Sequence, residues 1–390
     1  MKIAVVCDSF KGSLTSKDAC AAVKDGLLRC NKNFEVLSLP FADGGEGTSR
    51  CFYDILGGQL RKAAVHDPLL REITAEYTVL PDGTAVIDIA SASGLTLLKS
   101  SERDAVKVSS LGSGELICDA AEHGAKHIIL GLGGSATTDA GTGILYALGM
   151  RFFSEDGDEV LPDGQNMIRV KKIRRTENFE RFKDIKFTLA CDVTNPLCGE
   201  NGAAYVFSPQ KGASKNDVKL LDDGLRNIGE IFEKASGKKI INLPGAGAAG
   251  GIGGGLSAFL NCELQSGFDV LARAASLEDK IRRSDAVITG EGKTDRQTLF
   301  GKLPKRVSDI AEKFGVPCIL LSGDVENDIS AEKLGVCEIH KIKENGISLE
   351  HCMKNAASLL SERAFAIGKD SKIINKQYSR KQEKMRGNER

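Results

Sequence analysis

Short apolar runs that stop at turns of glycine, aspartate and hydroxyl residues recur along this chain, and they constrain its fold more than any other feature. The fullest is Ile128-Ile129-Leu130-Gly131-Leu132-Gly133-Gly134-Ser135-Ala136-Thr137-Thr138-Asp139-Ala140-Gly141-Thr142-Gly143, followed by a helix-like run from Ile144 to Leu148. Ile3 to Val6 empties into Asp8-Ser9-Phe10-Lys11-Gly12-Ser13, and Phe34 to Leu39 into Ala42-Asp43-Gly44-Gly45-Glu46-Gly47-Thr48. Near the other end, Asp285 to Thr289 runs into Gly290-Glu291-Gly292-Lys293-Thr294-Asp295, and Cys318 to Leu321 into Ser322-Gly323-Asp324. Helical signals lie between them. Thr15 and Asp18 have capping-box spacing ahead of Ala19, Val23 and Leu27. Pro304 opens a second helical pattern, with Val307, Ile310, Ala311 and Phe314 on its apolar face and Gly315 at its end. Short buried strands alternating with helices make parallel βαβ units. Ligands of such sheets bind at the carboxyl ends of the strands, where these turns fall.

The middle of the chain reads differently. Ile73 to Leu80 and Thr84 to Ala90 flank Pro81-Asp82-Gly83 as a hairpin would. Phe187 to Val193 and Ala203 to Phe207 read as strands, and Lys215 to Ala235 as a polar helix. The expected architecture is an α/β fold. A flavodoxin-like, parallel, three-layer domain is built from both chain ends, residues 1–67 and 286–368. A mixed α/β domain, residues 68–285, is inserted into it. The tail from Lys369 to Arg390 is basic through Lys372, Lys376, Arg380, Lys381, Lys384 and Arg386. It has few apolar residues, so disorder is expected there.

At 390 residues there is room for two or three cores. Lys and Arg total 53, as do Asp and Glu, so no basic footprint for nucleic acid or an acidic membrane exists. Met1 to Asp8 reads as a strand, too short in its apolar run for a signal peptide. No run is long enough to span a bilayer, and a soluble, cytoplasmic protein is expected. The 11 cysteines are scattered, odd in number and without CxxC spacing, which points to reduced thiols and not to disulfides or zinc. His123 and His127 are four apart but lack the glutamate of a zincin motif.

The turns share one chemistry. Glycine lets backbone approach a ligand, and successive N–H groups at a helix start cradle an anion. In the long loop Gly133, Gly134, Ser135 and Thr137 are candidates for holding phosphate, with Asp139 a candidate for Mg²⁺. Asp43 and Asp295 are the other candidate metal carboxylates. Lys11, Lys293 and Lys302, each in or beside a glycine-containing turn, are candidate cations for phosphate or substrate carboxylate. Asp192 ends the strand from Phe187 and is the candidate general base, with Asn195 to orient substrate or a metal-bound water. Phosphoryl transfer needs such a set: donors and cations for phosphates, carboxylates for Mg²⁺, and one base for the attacking hydroxyl. Each of these side chains could instead cap a helix or form a turn. Gly245-Ala246-Gly247-Ala248-Ala249-Gly250 satisfies GxGxxG, but Asn242-Leu243-Pro244 leaves no room for the preceding strand. A flexible loop or close backbone packing is the better reading than a dehydrogenase site, with phosphate binding left as an open option. Gly292-Lys293-Thr294 looks like a P-loop ending, yet Val287 stands where that motif needs its first glycine.

Taken together and in order, these stretches resemble the type I glycerate kinases. The matching motifs are Asp8 to Ser13, Ala42 to Thr48, Gly131 to Gly141, Cys191-Asp192-Val193-Thr194-Asn195-Pro196-Leu197, Pro244 to Gly255, and Gly290 to Asp295 running on to Gln297-Thr298 and Gly301-Lys302. The resemblance covers residues 1 to about 365. It implies ATP-dependent phosphorylation of D-glycerate, at the 2-hydroxyl with the 3-hydroxyl as the alternative. It also implies a flavodoxin-like domain carrying an inserted α/β domain. A kinase of another small hydroxy acid, and a nucleotide-binding regulatory protein without catalysis, are the competing expectations.

Overall fold

The computed structural model describes residues 1–42, 44–344 and 346–379. The chain divides into two compact units, one formed by Met1–Asp43 with Leu271–Arg390, the other by Gly44–Val270. Asp43, one of the candidate metal carboxylates, lies outside the described residues.

The unit made from both chain ends holds a five-stranded sheet, parallel throughout. Its strands lie side by side in the order Glu35–Pro40, Lys2–Cys7, Ala286–Gly290, Cys318–Ser322 and Glu338–Lys341. Counted along the unit's own chain this is 2-1-3-4-5, the flavodoxin-like order. The central strands are apolar on both faces because both are covered. Ile3, Val5, Ile288, Ile319 and Leu321 pack into one core with Ala19, Val23 and Leu27 of the helix Ser16–Cys30 and Leu360, Ala364 and Ile367 of the helix Ala356–Asp370. The alternate residues Ala4, Val6 and Val287 are equally buried, and the helix Leu303–Lys313 packs on the strand Ala286–Gly290. Thr15 caps the helix Ser16–Cys30 by accepting from the N–H of Asp18 at 3.1 Å, while the Asp18 carboxylate accepts from the Thr15 hydroxyl at 2.6 Å.

The second unit is built on a six-stranded mixed sheet in the order Asn261–Gln265, Lys186–Ala190, His127–Gly131, Ala85–Asp88, Glu72–Val79 and Gln59–His66. The first four strands are parallel and the last three form an antiparallel meander. Helices Leu111–Glu122, Thr142–Ala147 and Lys215–Ser236 contribute Leu116, Ile117, Ile144, Leu145, Leu221, Leu225 and Ile228 to one large core with the strand residues.

Several expectations need correction. The helix Thr48–Leu56 and the strand Gln59–His66 fall in the second unit, because that strand pairs along its whole length with Glu72–Val79. The units therefore change at residues 43 and 270, not 67 and 285. Ala203–Phe207 is a helix, not a strand. Ala203, Ala204 and Ser208 are buried while Tyr205 and Val206 are exposed, a helical spacing that the aromatic and β-branched composition masks. Residues 372–379 of the tail are helical. Ile374 is fully buried there, and Tyr378 meets Phe34 edge-on at 5.8 Å. The expected disorder thus fails for that stretch, because two apolar anchors suffice to dock it. Residues 380–390 lie outside the described residues.

Candidate functional site

In the second unit, three neighbouring parallel strands end together. Asp88 stands opposite Gly131, and Gly131 opposite Ala190. The chain beyond Gly131 and the chain beyond Ala190 therefore leave the same edge of the sheet in step, Gly133 and Asp192 each two residues further on. Asp192 is exposed there. The amide of Asn195 donates to the Asn201 carbonyl at 2.8 Å, and its own carbonyl accepts from the N–H of Gly247 at 2.9 Å. Those contacts make Asn195 a brace of its own loop.

The glycines of the long loop are needed for two separate reasons. Gly133 lies backbone to backbone on the neighbouring turn: its N–H donates to the Gly44 carbonyl at 3.1 Å, and a Cβ on it would come within 2.4 Å of Gly45 Cα. Gly134 is exposed and left-handed, with φ of +77°, a conformation that L side chains resist. Ser135, Thr137 and Thr138 follow, all buried. The Thr137 and Thr138 hydroxyls have no hydrogen-bond partner.

Asp139 is also fully buried, and its carboxylate is occupied by protein donors. It accepts from the N–H and the hydroxyl of Ser110 at 2.9 and 2.7 Å, and from the N–H groups of Gly141 and Gly143 at 3.1 and 3.4 Å. Burial raises its pKa above the usual carboxylate range, and these donors pull the other way. Asp139 thereby ties together the starts of the helices Leu111–Glu122 and Thr142–Ala147. In these contacts Asp139 acts as a structural cap. Asp88 does similar work one strand over. It accepts from the N–H groups of Gly47 and Ser49, both at 2.9 Å, at the start of the helix Thr48–Leu56. Burial pushes its pKa up to about 7 against those two donors.

Lys211 is a residue that the sequence reading missed. It is 3% exposed, and its ammonium donates to the Ser135 hydroxyl at 2.8 Å and to the Thr137 carbonyl at 2.6 Å. Burial brings its pKa down to about 7, with the charge of Asp139 opposing. It sits at the end of a short turn, Pro209–Lys211, and no local pattern marks it. Asp88 did have a signal, a carboxylate interrupting the apolar run Ala85-Val86-Ile87-Asp88-Ile89.

The stretch Gly245 to Gly255 packs against this loop. The N–H of Ala140 donates to the Gly250 carbonyl at 3.0 Å. A Cβ on Gly250 would fall 2.0 Å from the Thr137 carbonyl oxygen, and one on Gly255 1.9 Å from that of Ala140. The GxGxxG pattern is thus backbone packing under the loop.

The first unit has its own cluster. The strands Lys2–Cys7 and Ala286–Gly290 are neighbours whose connections run off in opposite directions, which is the switch point where open α/β sheets form a crevice. The turns after them touch: a Cβ on Gly292 would lie 3.2 Å from Phe10 Cα. Glu291 is buried and accepts from the Thr298 hydroxyl at 2.7 Å. Burial raises its pKa to about 7, the Asp8 charge adding and Thr298, Thr294 and Lys302 opposing. Two of the three candidate cations here are paired. Lys293 reaches Glu326 at 2.9 Å, and Lys302 reaches Asp295 at 3.1 Å. Asp295 also accepts from the N–H of Gln297 at 2.9 Å. Burial works to raise its pKa, but Lys302 and that N–H outweigh it and hold it below the ordinary range. Lys11 is exposed on its turn. The sequence-predicted residues therefore fall into two clusters, Gly133, Gly134, Ser135, Thr137, Asp139, Asp192 and Asn195 in one unit, Lys11, Lys293, Asp295 and Lys302 in the other. Among the described residues no three His, Cys, Asp or Glu side chains converge as a metal cage, and no helix is long and apolar enough to cross a membrane.

Glycine-rich strand-end loops carrying hydroxyls, carboxylates and lysines are the equipment of an α/β enzyme that handles anionic substrates. Comparison with known proteins identifies which kind. The glycerate kinase family model matches residues 3–372. A glycerate 2-kinase of Escherichia coli is 41% identical over 84% of this chain and 87% of its own. A glycerate kinase of Halalkalibacterium halodurans is 38% identical over 93% and 96%. The crystal structure of a provisionally assigned glycerate kinase 2 from Salmonella typhimurium LT2 superposes with a TM-score of 0.84 at 34% identity, covering 95% of this chain and 97% of that one. The chain belongs to the glycerate kinase family, and it is a kinase whose phosphoryl acceptor is an alcohol.

Proposed function

We propose that this chain phosphorylates D-glycerate with ATP at the 2-hydroxyl, giving 2-phosphoglycerate. The reaction position is taken from the Escherichia coli relative, named a glycerate 2-kinase. The observation that carries the reading is the register of the second unit's sheet, which brings the phosphate-cradling loop and an exposed carboxylate, Asp192, out of adjacent strands in step.

In this reading the turn binds phosphoryl oxygens at Gly134, the N–H of Gly133 being held by the Gly44 carbonyl, with Ser135 adding its hydroxyl. Asp192 takes the proton of the substrate hydroxyl as the oxygen bonds to phosphorus. In the unit built from both chain ends, taken by itself, Lys11, Lys293 and Lys302 are the candidate cations for a phosphate or a carboxylate. Mg²⁺ is the proposed companion of the nucleotide, supplying charge neutralisation to its phosphates. A site held by one or two carboxylates and the phosphates themselves suits this ion. Asp295, partly exposed, fits such a role, whereas Asp139, with its oxygens taken by four donors, does not.

The test is incubation with ATP, Mg²⁺ and D-glycerate, with phosphorus NMR of the product. Glycerate-dependent ADP release and a resonance for 2-phosphoglycerate are expected. Accumulation of 3-phosphoglycerate would overturn the assigned position, and ADP release indifferent to glycerate would overturn the substrate.

A further inference from the structure

An ammonium inside a protein is costly unless something compensates it. Lys211 is 3% exposed, and both groups it hydrogen-bonds, the Ser135 hydroxyl and the Thr137 carbonyl, are neutral. The nearby Asp139 is engaged by donors from Ser110, Gly141 and Gly143. Holding the loop in place does not require a charge here, since an apolar side chain of similar length would fill the space without the desolvation cost. The direction of the hydrogen bonds says what the charge does. In its charged form the Lys211 ammonium only donates, so Ser135 Oγ then accepts, and the serine's own O–H is left to donate elsewhere. Next to Ser135 is the exposed, left-handed Gly134. Within the same loop the hydroxyls of Thr137 and Thr138 are buried and unpartnered, although unsatisfied buried polar groups are uncommon.

We propose that Lys211 is a positioning residue for an oxyanion. It fixes the Ser135 hydroxyl as a donor toward a ligand at the Gly133–Ser135 turn and supplies the buried counter-charge. The oxyanion is a phosphoryl group of the nucleotide or the carboxylate of glycerate. The proposal rests on the kinase reading above for these two ligands.

The test compares full-length Lys211→Met, Ser135→Ala and the double variant with the wild type, by steady-state kinetics and thermal melting. Lys211→Met should keep or raise Tm and raise one KM at least tenfold. A rise confined to ATP assigns the oxyanion to the nucleotide, and one confined to glycerate assigns it to the substrate. Because Lys211 acts through Ser135, the double variant should be no worse than the worse single variant. A lowered Tm with both KM values unchanged means a merely structural lysine and overturns the proposal, as does full additivity. If Lys211→Met does not fold, Ser135→Ala decides alone, and normal KM values for both ligands in it would sink the idea. Should the wild type show no glycerate-dependent ADP release, the kinase reading falls by itself. The proposal is then decided by inorganic pyrophosphate, which must raise the wild-type Tm and fail to raise that of either single variant.

Discussion

At the scale of single residues, two carboxyls are distinguished by their surroundings. Asp192 is exposed at a strand end, and Asp192→Asn keeps its shape while removing the base. Its maximal rate should fall by about 10²-fold or more with the KM for ATP nearly unchanged, as measured at saturating glycerate. Retention of most of the rate would move the base elsewhere. Glu291 is the opposite case, a carboxyl in a closed turn with its pKa raised to about 7 from 4.5. The fold holds this proton more tightly than the unfolded chain does. Its contribution to stability is therefore full below the unfolded value, is lost as pH rises toward 7, and stays lost above it. Glu291→Gln has no proton to lose. The Tm difference between Glu291→Gln and wild type should grow in favour of the variant from pH 5 to pH 8. A difference that stays flat across that range would mean that Glu291 is ionised in the fold throughout. Much of this level was legible in the sequence as position but not as partnership. That Asp139, Asp192 and Asp295 follow strands could be read from pattern. That Asp139 is consumed by Ser110, 29 positions away, could not, because nothing local records which donors a fold brings to a carboxylate. The burial of Lys211 was invisible for the same reason.

At the scale of elements, the glycines show how a loop and its support are shaped together. Gly133→Ala drives a Cβ to 2.4 Å from Gly45 Cα, so two backbones must part, and a loss of more than about 3 kcal/mol of stability is expected. Gly134→Ala meets Ala90 Cβ at 3.2 Å, which must give slightly, and Glu46 Cβ at 3.8 Å, so its cost is mainly the left-handed backbone, about 1–2 kcal/mol. Urea midpoints of the two variants check this order, and equal midpoints would contradict it. Strand-to-turn punctuation made these elements readable in advance: the strand His127–Gly131 and the helix Lys215–Ser236 stand where periodicity puts them. The helix Ala203–Phe207 was not readable, since five residues give less than two turns of period and their composition favours a strand. The glycines of residues 245–255 were readable as close packing, though not the surface they pack on.

At the scale of the whole molecule, a unit assembled from both chain ends depends on contacts between residues hundreds of positions apart. The helices Ser16–Cys30 and Ala356–Asp370 pack side by side, with Arg29 reaching Glu362 at 2.7 Å and the Ser361 hydroxyl donating to Asp25 at 2.6 Å. Gly26 is what allows the approach, since a Cβ there would fall 2.0 Å from the Ser361 carbonyl oxygen. Gly26→Leu should destabilise this unit by more than about 3 kcal/mol, seen as a lower urea midpoint and earlier proteolysis within residues 1–42. A wild-type midpoint would show that the helices can slide apart at little cost. The discontinuity was legible from the matching strand-turn grammar of the two ends, whereas its seams at 43 and 270 were not, because the pairing partner of the strand Gln59–His66 decides the first seam.

The same discontinuity sets an order of events during synthesis. The strand Lys2–Cys7 leaves the ribosome long before its neighbour Ala286–Gly290 exists. Roughly 230 residues separate the two halves of that unit, which at about 5–20 residues per second is a wait of roughly 10–50 seconds. By the end of that interval the unit spanning Gly44–Val270 has all of its strands and can close on its own core, while Ile3, Val5 and Leu27 still lack Ile288, Ile319, Leu321 and Leu360 of the core they share. A nascent chain of this protein carries the apolar, β-prone segment Lys2–Cys7 incompletely covered through most of its translation, and that segment is where a holding chaperone has the most to protect.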